Sequence, residues 1–349
     1  MATIVLTGGG SAGHVIPNIA LLPYLKKDFD KIYYFGSKNG IEKDICQKNG
    51  IDFYEVPCVK LHRKFTAKNL KIPYTLINGI INAKKLLKEL NPDVIFSKGG
   101  YVALPTVIAG SRLKIPIICH ESDYSLGLAN KISSKYSNKI LTSFSTTANS
   151  LKKGVHIGSA IRNFNIIEKD KCYDFFGFKN NKPVLLITGG SQGAKIINDH
   201  VKTALPMLLK KFNVIHLCGK NNLDNSLKIE GYFQAEYLSN IEYAFSIASV
   251  CVSRAGSNTL FELLSLKIPT LAIPLPKGVS RGDQVLNAEY FSRLGLIDIL
   301  YQKNLTTESL LTKIFSVYNN RKILLNNLEK NPIKDASRTI SQLLANYKR

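Results

Sequence analysis

The sequence predicts an α/β protein made of two doubly wound, Rossmann-like domains. Apolar runs of strand length alternate with amphipathic helical segments along the chain, as in parallel βαβ units. The run Ile4-Val5-Leu6 feeds a glycine turn, Gly8-Gly9-Gly10-Ser11-Ala12-Gly13-His14, and then a helical segment from Ile16 to Leu25. The same order returns about half the chain later, where Val184 to Thr188 runs into Gly189-Gly190-Ser191-Gln192-Gly193-Ala194 and another helical segment. Two such openings imply two similar domains facing one interdomain cleft.

The 349 residues suit two domains, each large enough to bury its own core. Strands are expected at Ile32 to Phe35, Phe53 to Val56, Val94 to Phe96, Ile115 to Cys119, Lys139 to Thr142 and Val155 to Ile157. Helices are expected near Ile41 to Asn49, at Tyr74 to Leu90, which Asn91-Pro92 ends, and near Leu104 to Ser111. Lys98-Gly99-Gly100-Tyr101 and His120-Glu121-Ser122-Asp123 read as turns after strands. Gly158 to Asn165 reads as a linker, which sets domains at 1–160 and 161–332. The second half repeats the alternation, with strands at Val214 to Leu217, Val250 to Val252, Thr270 to Ile273 and Ile297 to Leu300. Its helices are expected at Ala194 to Lys210, Ile241 to Ala248, Thr259 to Leu266 and Gln284 to Leu294, with more after Thr307. In open parallel sheets ligands bind beyond the carboxyl ends of the strands, and these turns all lie there.

Composition is that of a soluble globular chain, 45% apolar and 21% charged. The net charge of +22 points to an anionic partner, whether a membrane surface, a phosphorylated substrate or nucleic acid, or else to compositional bias. Six cysteines without C-x-x-C spacing, several within apolar runs, suggest free thiols in a reducing cytoplasm and no structural zinc. No signal peptide and no membrane-spanning run is expected. The segment from Pro57 to Pro73 breaks the α/β rhythm. It mixes Lys60, Arg63, Lys64, Lys68 and Lys71 with Phe65, Leu70 and Ile72 and has no heptads. That mixture suits docking on an anionic membrane, or is an ordinary solvated loop.

Gly8, Gly10 and Gly13 match G-x-G-x-x-G formally. A dinucleotide site also needs a carboxylate at the end of the next strand, and Phe35 is followed by Gly36-Ser37. No Walker sequence is present. No recognised nucleic-acid reader motif accompanies the charge.

Seven motifs carry a family likeness: GGGSAGH at 8–14, KGGYVALP at 98–105, HESD at 120–123, GSAIR at 158–162, GGSQGA at 189–194, SRAGSNTLFEL at 253–263 and RGDQVLNA at 281–288. In this order and spacing, over essentially the whole length, the chain resembles the MurG family of peptidoglycan synthesis. These enzymes are UDP-N-acetylglucosamine-dependent transferases acting on undecaprenyl-pyrophosphoryl-muramyl-pentapeptide (lipid I). The resemblance implies a GT-B fold, with residues 333–349 returning to the first domain. It implies an inverting hexosyl transfer that makes lipid II without metal or other cofactor, by a peripheral protein on the cytoplasmic face of the membrane. Another GT-B UDP-sugar transferase, or a UDP-sugar 2-epimerase of similar architecture, is the alternative. Some members carry Gln-Asn where this chain has Ser122-Asp123, and Gln-Gln where it has Asp283-Gln284.

The likeness assigns roles residue by residue. His14, beside a helix start that favours the neutral imidazole, is the candidate base for the acceptor hydroxyl, or it only shapes the turn. Ser11, Ala12 and Gly13 would present N–H groups between donor and acceptor, and Gly10, Gly13, Gly99, Gly100 and Tyr101 would line the acceptor pyrophosphate. In the second half, Arg162, Ser191, Gln192, Ser257, Asn258 and Thr259 would meet the UDP phosphates. Glu262 would hold the ribose hydroxyls, or serve as a capping-box partner three residues after Thr259. Gln284, Asn287 and Asp123 would bind sugar hydroxyls, and Leu238 would sit beside uracil through its backbone. The expected partners are therefore UDP-N-acetylglucosamine, a polyprenyl-pyrophosphate acceptor and an anionic membrane, and not nucleic acid.

Overall fold

The computed structural model describes residues 1–59, 72–190 and 193–349. The chain divides into two compact units, Met1–Arg162 with Lys334–Arg349, and Asn163–Ile333. In the first, seven parallel strands make one sheet: β1 (Thr3–Thr7), β2 (Lys31–Gly36), β3 (Asp52–Glu55), β4 (Val94–Ser97), β5 (Ile117–Glu121), β6 (Lys139–Thr142) and β7 (Gly154–His156). Their order is β3-β2-β1-β4-β5-β6-β7. The winding reverses between β1 and β4, so a crevice opens beyond their carboxyl ends. The helices are α1 (Ile16–Asp28), α2 (Ile41–Lys48), α3 (Ile72–Leu90), α4 (Leu104–Arg112), α5 (Leu128–Ser133) and α6 (Ser145–Asn149).

Alternation along β1 sends Ile4 and Leu6 to one face and Val5 to the other, and all three are fully buried. Ile4 and Leu6 join a cluster with Leu21 and Leu25 of α1, while Val5 packs with Ile80 and Leu87 of α3 and Val107 of α4.

The second unit repeats the plan with six strands: β8 (Val184–Thr188), β9 (Asn213–Leu217), β10 (Tyr232–Ala235), β11 (Ala248–Ser253), β12 (Thr270–Ala272) and β13 (Asp298–Ile299). Their order is β10-β9-β8-β11-β12-β13, so winding reverses between β8 and β11. Its helices are α7 (Lys169–Phe176), α8 (Lys195–Lys211), α9 (Ile241–Ile247), α10 (Ser257–Ser265), α11 (Asp283–Arg293), α12 (Thr307–Asn319) and α13 (Arg321–Lys330). Leu185 and Ile187 of β8 pack with Val201 and Leu205 of α8 and Ile314 of α12, while Leu186 faces Phe176 and Leu263.

After α13 the chain rejoins the first unit. Asp335 Oδ1 accepts from the Ile161 amide at 2.9 Å and from the Ser337 amide at 2.9 Å. Helix α14 (Ser337–Ala345) then lies on α1, with Ile340 and Leu344 fully buried in the cluster that holds Leu21 and Leu25. Burying two such side chains contributes about 3–6 kcal/mol before entropy is counted.

The differences from the sequence expectation are local. β5 runs on to Glu121, because His120 and Glu121 find partners that a turn would not supply. α10 starts at Ser257, with extended Gly256 as its N-cap. The short helices α5, α6 and α7 and the edge strand β10 were not expected, being too brief to show a period.

Candidate functional site

In the first unit the turns after β1 and β4 meet at the reversal point. The Lys98 amide donates to the Thr7 carbonyl at 2.9 Å, which ties the two strand ends. Gly10 lies against the Tyr101 ring, and Gly100 lies so close to the Gly9 carbonyl that a side chain there would collide with it. Gly10, Gly99, Gly100 and Tyr101, implied at an acceptor pyrophosphate, therefore form one continuous group. Ala12–His14 is a short 3₁₀ turn leading into α1. His14 is half-buried, and its Nδ1 is 2.8 Å from Ser11 Oγ. Ser11 and Gly13 are exposed beside it, and Ala12 is half-buried.

Asp123 follows the end of β5. Glu121, which precedes it by two, fixes its backbone: Oε1 accepts from the Asp123 amide at 3.0 Å, and Oε2 accepts from the Gly127 amide at 2.9 Å and from Asn130 Nδ2 at 3.0 Å. Arg162 is half-buried and belongs to this first unit rather than to the second.

In the second unit a pocket of about 260 Å³ opens at the other reversal point. Thr188, Gly189, Gly190 and Gly193 line it from the turn after β8, and Ser253, Arg254 and Gly256 line it from the turn after β11. Thr259, Leu275 and Gln284 complete the wall. Gly256 caps α10 without a side chain, so first-turn amides of Ser257, Asn258 and Thr259 lie where a helix favours anions. Arg254 is only 9% exposed, and its Nη1 donates to the Ile273 carbonyl at 3.0 Å. Burial lowers its pKa, yet a guanidinium keeps its charge at neutral pH. Amides, hydroxyls and a fixed cation around one small cup suit a diphosphate.

The remaining residues are placed as follows. Glu262 is buried one turn into α10, and α10 has Gly256 as its N-cap with no side-chain cap bond, so the capping-box reading through Thr259 is excluded. Ser257 is buried, and Asn258 and Thr259 are half-buried. Gln284 Oε1 accepts from the Leu275 amide at 3.0 Å, which orients it on the pocket wall. Asn287 is fully buried and donates through Nδ2 to the Ala255 carbonyl at 3.2 Å. It thus supports the turn before α10. Leu238 is buried in the cluster around Phe245. Ser191 and Gln192 lie outside the described residues, as do Lys60, Arg63, Lys64, Phe65, Lys68, Leu70, Lys71 and the side chain of Ile72. Arg254 was missed by the sequence reading, although it stands inside SRAGSNTLFEL at the end of a strand. No cluster of metal-ligating side chains occurs among the described residues.

Paired doubly wound units with glycine turns at both reversal points define a nucleotide-binding glycosyltransferase architecture of the GT-B type. The chain belongs to glycosyltransferase family 28: residues 4–142 match its N-terminal domain and residues 184–343 its C-terminal domain. It is 46% identical over 345 residues to a Bacillus anthracis protein named UDP-N-acetylglucosamine--N-acetylmuramyl-(pentapeptide) pyrophosphoryl-undecaprenol N-acetylglucosamine transferase 2, covering 97% of this chain and 98% of that one. A Clostridium botulinum (strain Langeland) transferase, of the same name without the final number, is 43% identical over 353 residues, covering 99% of each. Among solved structures, Acinetobacter baumannii MurG superposes with a TM-score of 0.76 at 23% identity, covering 99% of this chain and 100% of that one. The glycosyltransferase of kitacinnamycin superposes with a TM-score of 0.75 at 13% identity, covering 99% of both.

Proposed function

We propose that this enzyme transfers N-acetylglucosamine from UDP-N-acetylglucosamine to lipid I, with inversion at the sugar carbon. The observation that carries the reading is near-complete coverage by relatives named for that transfer, at 43–46% identity. The pocket of the second unit supports the donor half: Arg254 and the first turn of α10 can neutralise the charge that builds on UDP as it leaves. The turns of the first unit support the acceptor half.

Attack by the acceptor hydroxyl requires a base. With the proton on Nδ1, His14 donates to Ser11 Oγ, the tautomer in which Nε2 is the basic nitrogen. Asp123 and Gln284 offer acceptors and amide hydrogens for sugar hydroxyls. The protein works as a peripheral enzyme on the cytoplasmic membrane face, without a metal or other cofactor. Among the described residues no helix is long and apolar enough to cross a membrane. Helix α3 supports surface docking, because Tyr74, Ile77 and Ile81 stand exposed at helical spacing, with exposed Lys84, Lys85 and Lys88 in the turns that follow. On this reading the +22 charge meets anionic lipid and phosphorylated substrates, not nucleic acid.

The test is an assay of the purified protein with labelled UDP-N-acetylglucosamine and a short-chain lipid I analogue. Equal amounts of UDP and disaccharide should form, with the anomeric configuration opposite to the donor's by NMR. Isomerisation at the sugar's C2 without transfer, or transfer only to an unrelated acceptor, would overturn the reading.

A further inference from the structure

Lys98 stands between the glycine turns of the first unit, with its stem against Gly8, yet it is only 2% exposed. Its amine lies 2.7 Å from His120 Nδ1 and 2.5 Å from Ser122 Oγ. His120 is fully buried, and its Nε2 is 2.9 Å from the Gly158 carbonyl. A carbonyl only accepts, so Nε2 carries the ring proton and Nδ1 accepts from Lys98. One chain of hydrogen bonds thus joins the turn after β4, the end of β5 and the segment leaving β7.

The amine forms no ion pair among the described residues. The charged and titratable groups that face it are His120, Glu121 and Asp123, all from β5 and the turn beyond. Glu121 already accepts three hydrogen bonds, and burial and the nearby Lys98 charge hold the His120 pKa well below its usual value, so His120 adds no charge. Two acceptors satisfy both N–H groups of a neutral amine, but leave an ammonium with one N–H over. A buried cation without a counter-ion is costly, and the cost falls when an anion arrives nearby. Burial lowers the Lys98 pKa to about 7, against the opposing pull of Glu121 and Asp123.

We propose that Lys98 is a positioning residue of the acceptor site, held by His120 and Ser122 so that it takes up a proton and becomes the buried counter-charge of a pyrophosphate on the Gly8–Gly10 and Gly99–Gly100 turns. The proposal rests on the reading that the first unit holds the acceptor. It adds a residue that acts from beneath the turns.

The test is calorimetry of the short-chain lipid I analogue at pH 7.5, in buffers of low and high ionisation enthalpy. Binding should take up roughly 0.5–0.8 of a proton, given a group near neutrality that becomes fully charged. Uptake should persist in a His14→Gln protein, disappear in Lys98→Met, and be absent when UDP alone is titrated. In Lys98→Met the acceptor KM should rise about tenfold and lose its dependence on pH between 6 and 8, while donor KM stays unchanged. A wild-type melting profile shows that the variant is folded, and if it does not fold, uptake by the wild type and by His14→Gln decides. A wild type that transfers sugar but binds the analogue without proton uptake overturns the role of Lys98 and leaves the functional reading standing. So does a Lys98→Met protein with wild-type acceptor KM. A wild type that neither binds nor uses the analogue overturns both.

Discussion

Replacing Gly100 with alanine tests whether the two glycine turns of the first unit form one body. Gly100 has φ = 78° and ψ = 160°, a region almost confined to glycine, which costs an alanine about 1–3 kcal/mol on backbone grounds alone. Its new methyl group would also enter the Gly9 carbonyl oxygen, a backbone atom that no side-chain rotation can move aside. Overpacking of this kind adds about 1–3 kcal/mol. Gly50 supplies the control: it has φ = 64°, and nothing lies within 4 Å of a Cβ built there. Gly50→Ala carries a backbone cost without a collision, so the difference between the variants reports the glycine-only backbone of Gly100 together with the contact between the turns. For a unit of this size, Gly100→Ala should melt about 2–12 °C below Gly50→Ala. It should also raise acceptor KM, because the turns relieve the collision by moving apart, while donor KM follows the wild type. Calorimetric melts and initial rates with the short-chain acceptor measure both effects. Equal melting temperatures and equal acceptor KM for the two variants would refute the argument.

Four further outcomes are expected. His14→Ala should lower kcat by roughly 10²–10⁴-fold and remove the acidic limb of the pH profile, as loss of a general base does; a drop below tenfold, or a surviving limb, rejects the assignment. Glu262→Ala should raise donor KM by about 10- to 100-fold through loss of charge-assisted hydrogen bonds, and an unchanged KM in a folded variant removes Glu262 from the donor site. Changing Lys64, Lys68 and Lys71 together to glutamate should weaken binding to anionic vesicles by at least about 100-fold, at roughly 1 kcal/mol per charge, with little effect on a water-soluble acceptor; unaltered vesicle binding places the membrane face elsewhere. His216 is fully buried between Asn198 and Tyr232, and burial, aided by Lys202, lowers its pKa to about 4 from 6.5. The unfolded chain therefore binds this proton first as pH falls. The stability it contributes is complete above about pH 6.5 and declines toward pH 4, by about 3 kcal/mol in all, a slope that His216→Gln should flatten in denaturant titrations.

The sequence made the double α/β plan legible because buried parallel strands read as unbroken apolar runs, and because glycine marks the turns at strand ends. The strand expected at Val184 to Ile187 falls within one residue of the observed one on that ground. Elements held by distant partners were harder to see. Nothing local says that His120 belongs to a strand, since its ring is fixed by Lys98 and by the Gly158 carbonyl. The start of α10 was set too late because Thr259 looked like a cap, whereas extended Gly256 performs that function with no side chain. Arg254 escaped notice for a related reason. The helix start beyond it carries the plainer local signal, and only the fold shows its guanidinium held on the Ile273 carbonyl and the residue lining the pocket.

The position of α14 has a consequence for biosynthesis. The first unit is discontinuous: the helix that covers Leu21 and Leu25 is translated only after the whole of the second unit. At common elongation rates the gap lasts roughly 10–30 s. For that interval, the nascent N-terminal half carries an apolar face without its lid, a surface that chaperones bind. The second unit, which is contiguous in sequence, can close first although it emerges later. Completion of the first unit therefore waits on synthesis of the second, and a chain truncated after Ile333 carries a whole second unit joined to a first one that lacks its last helix.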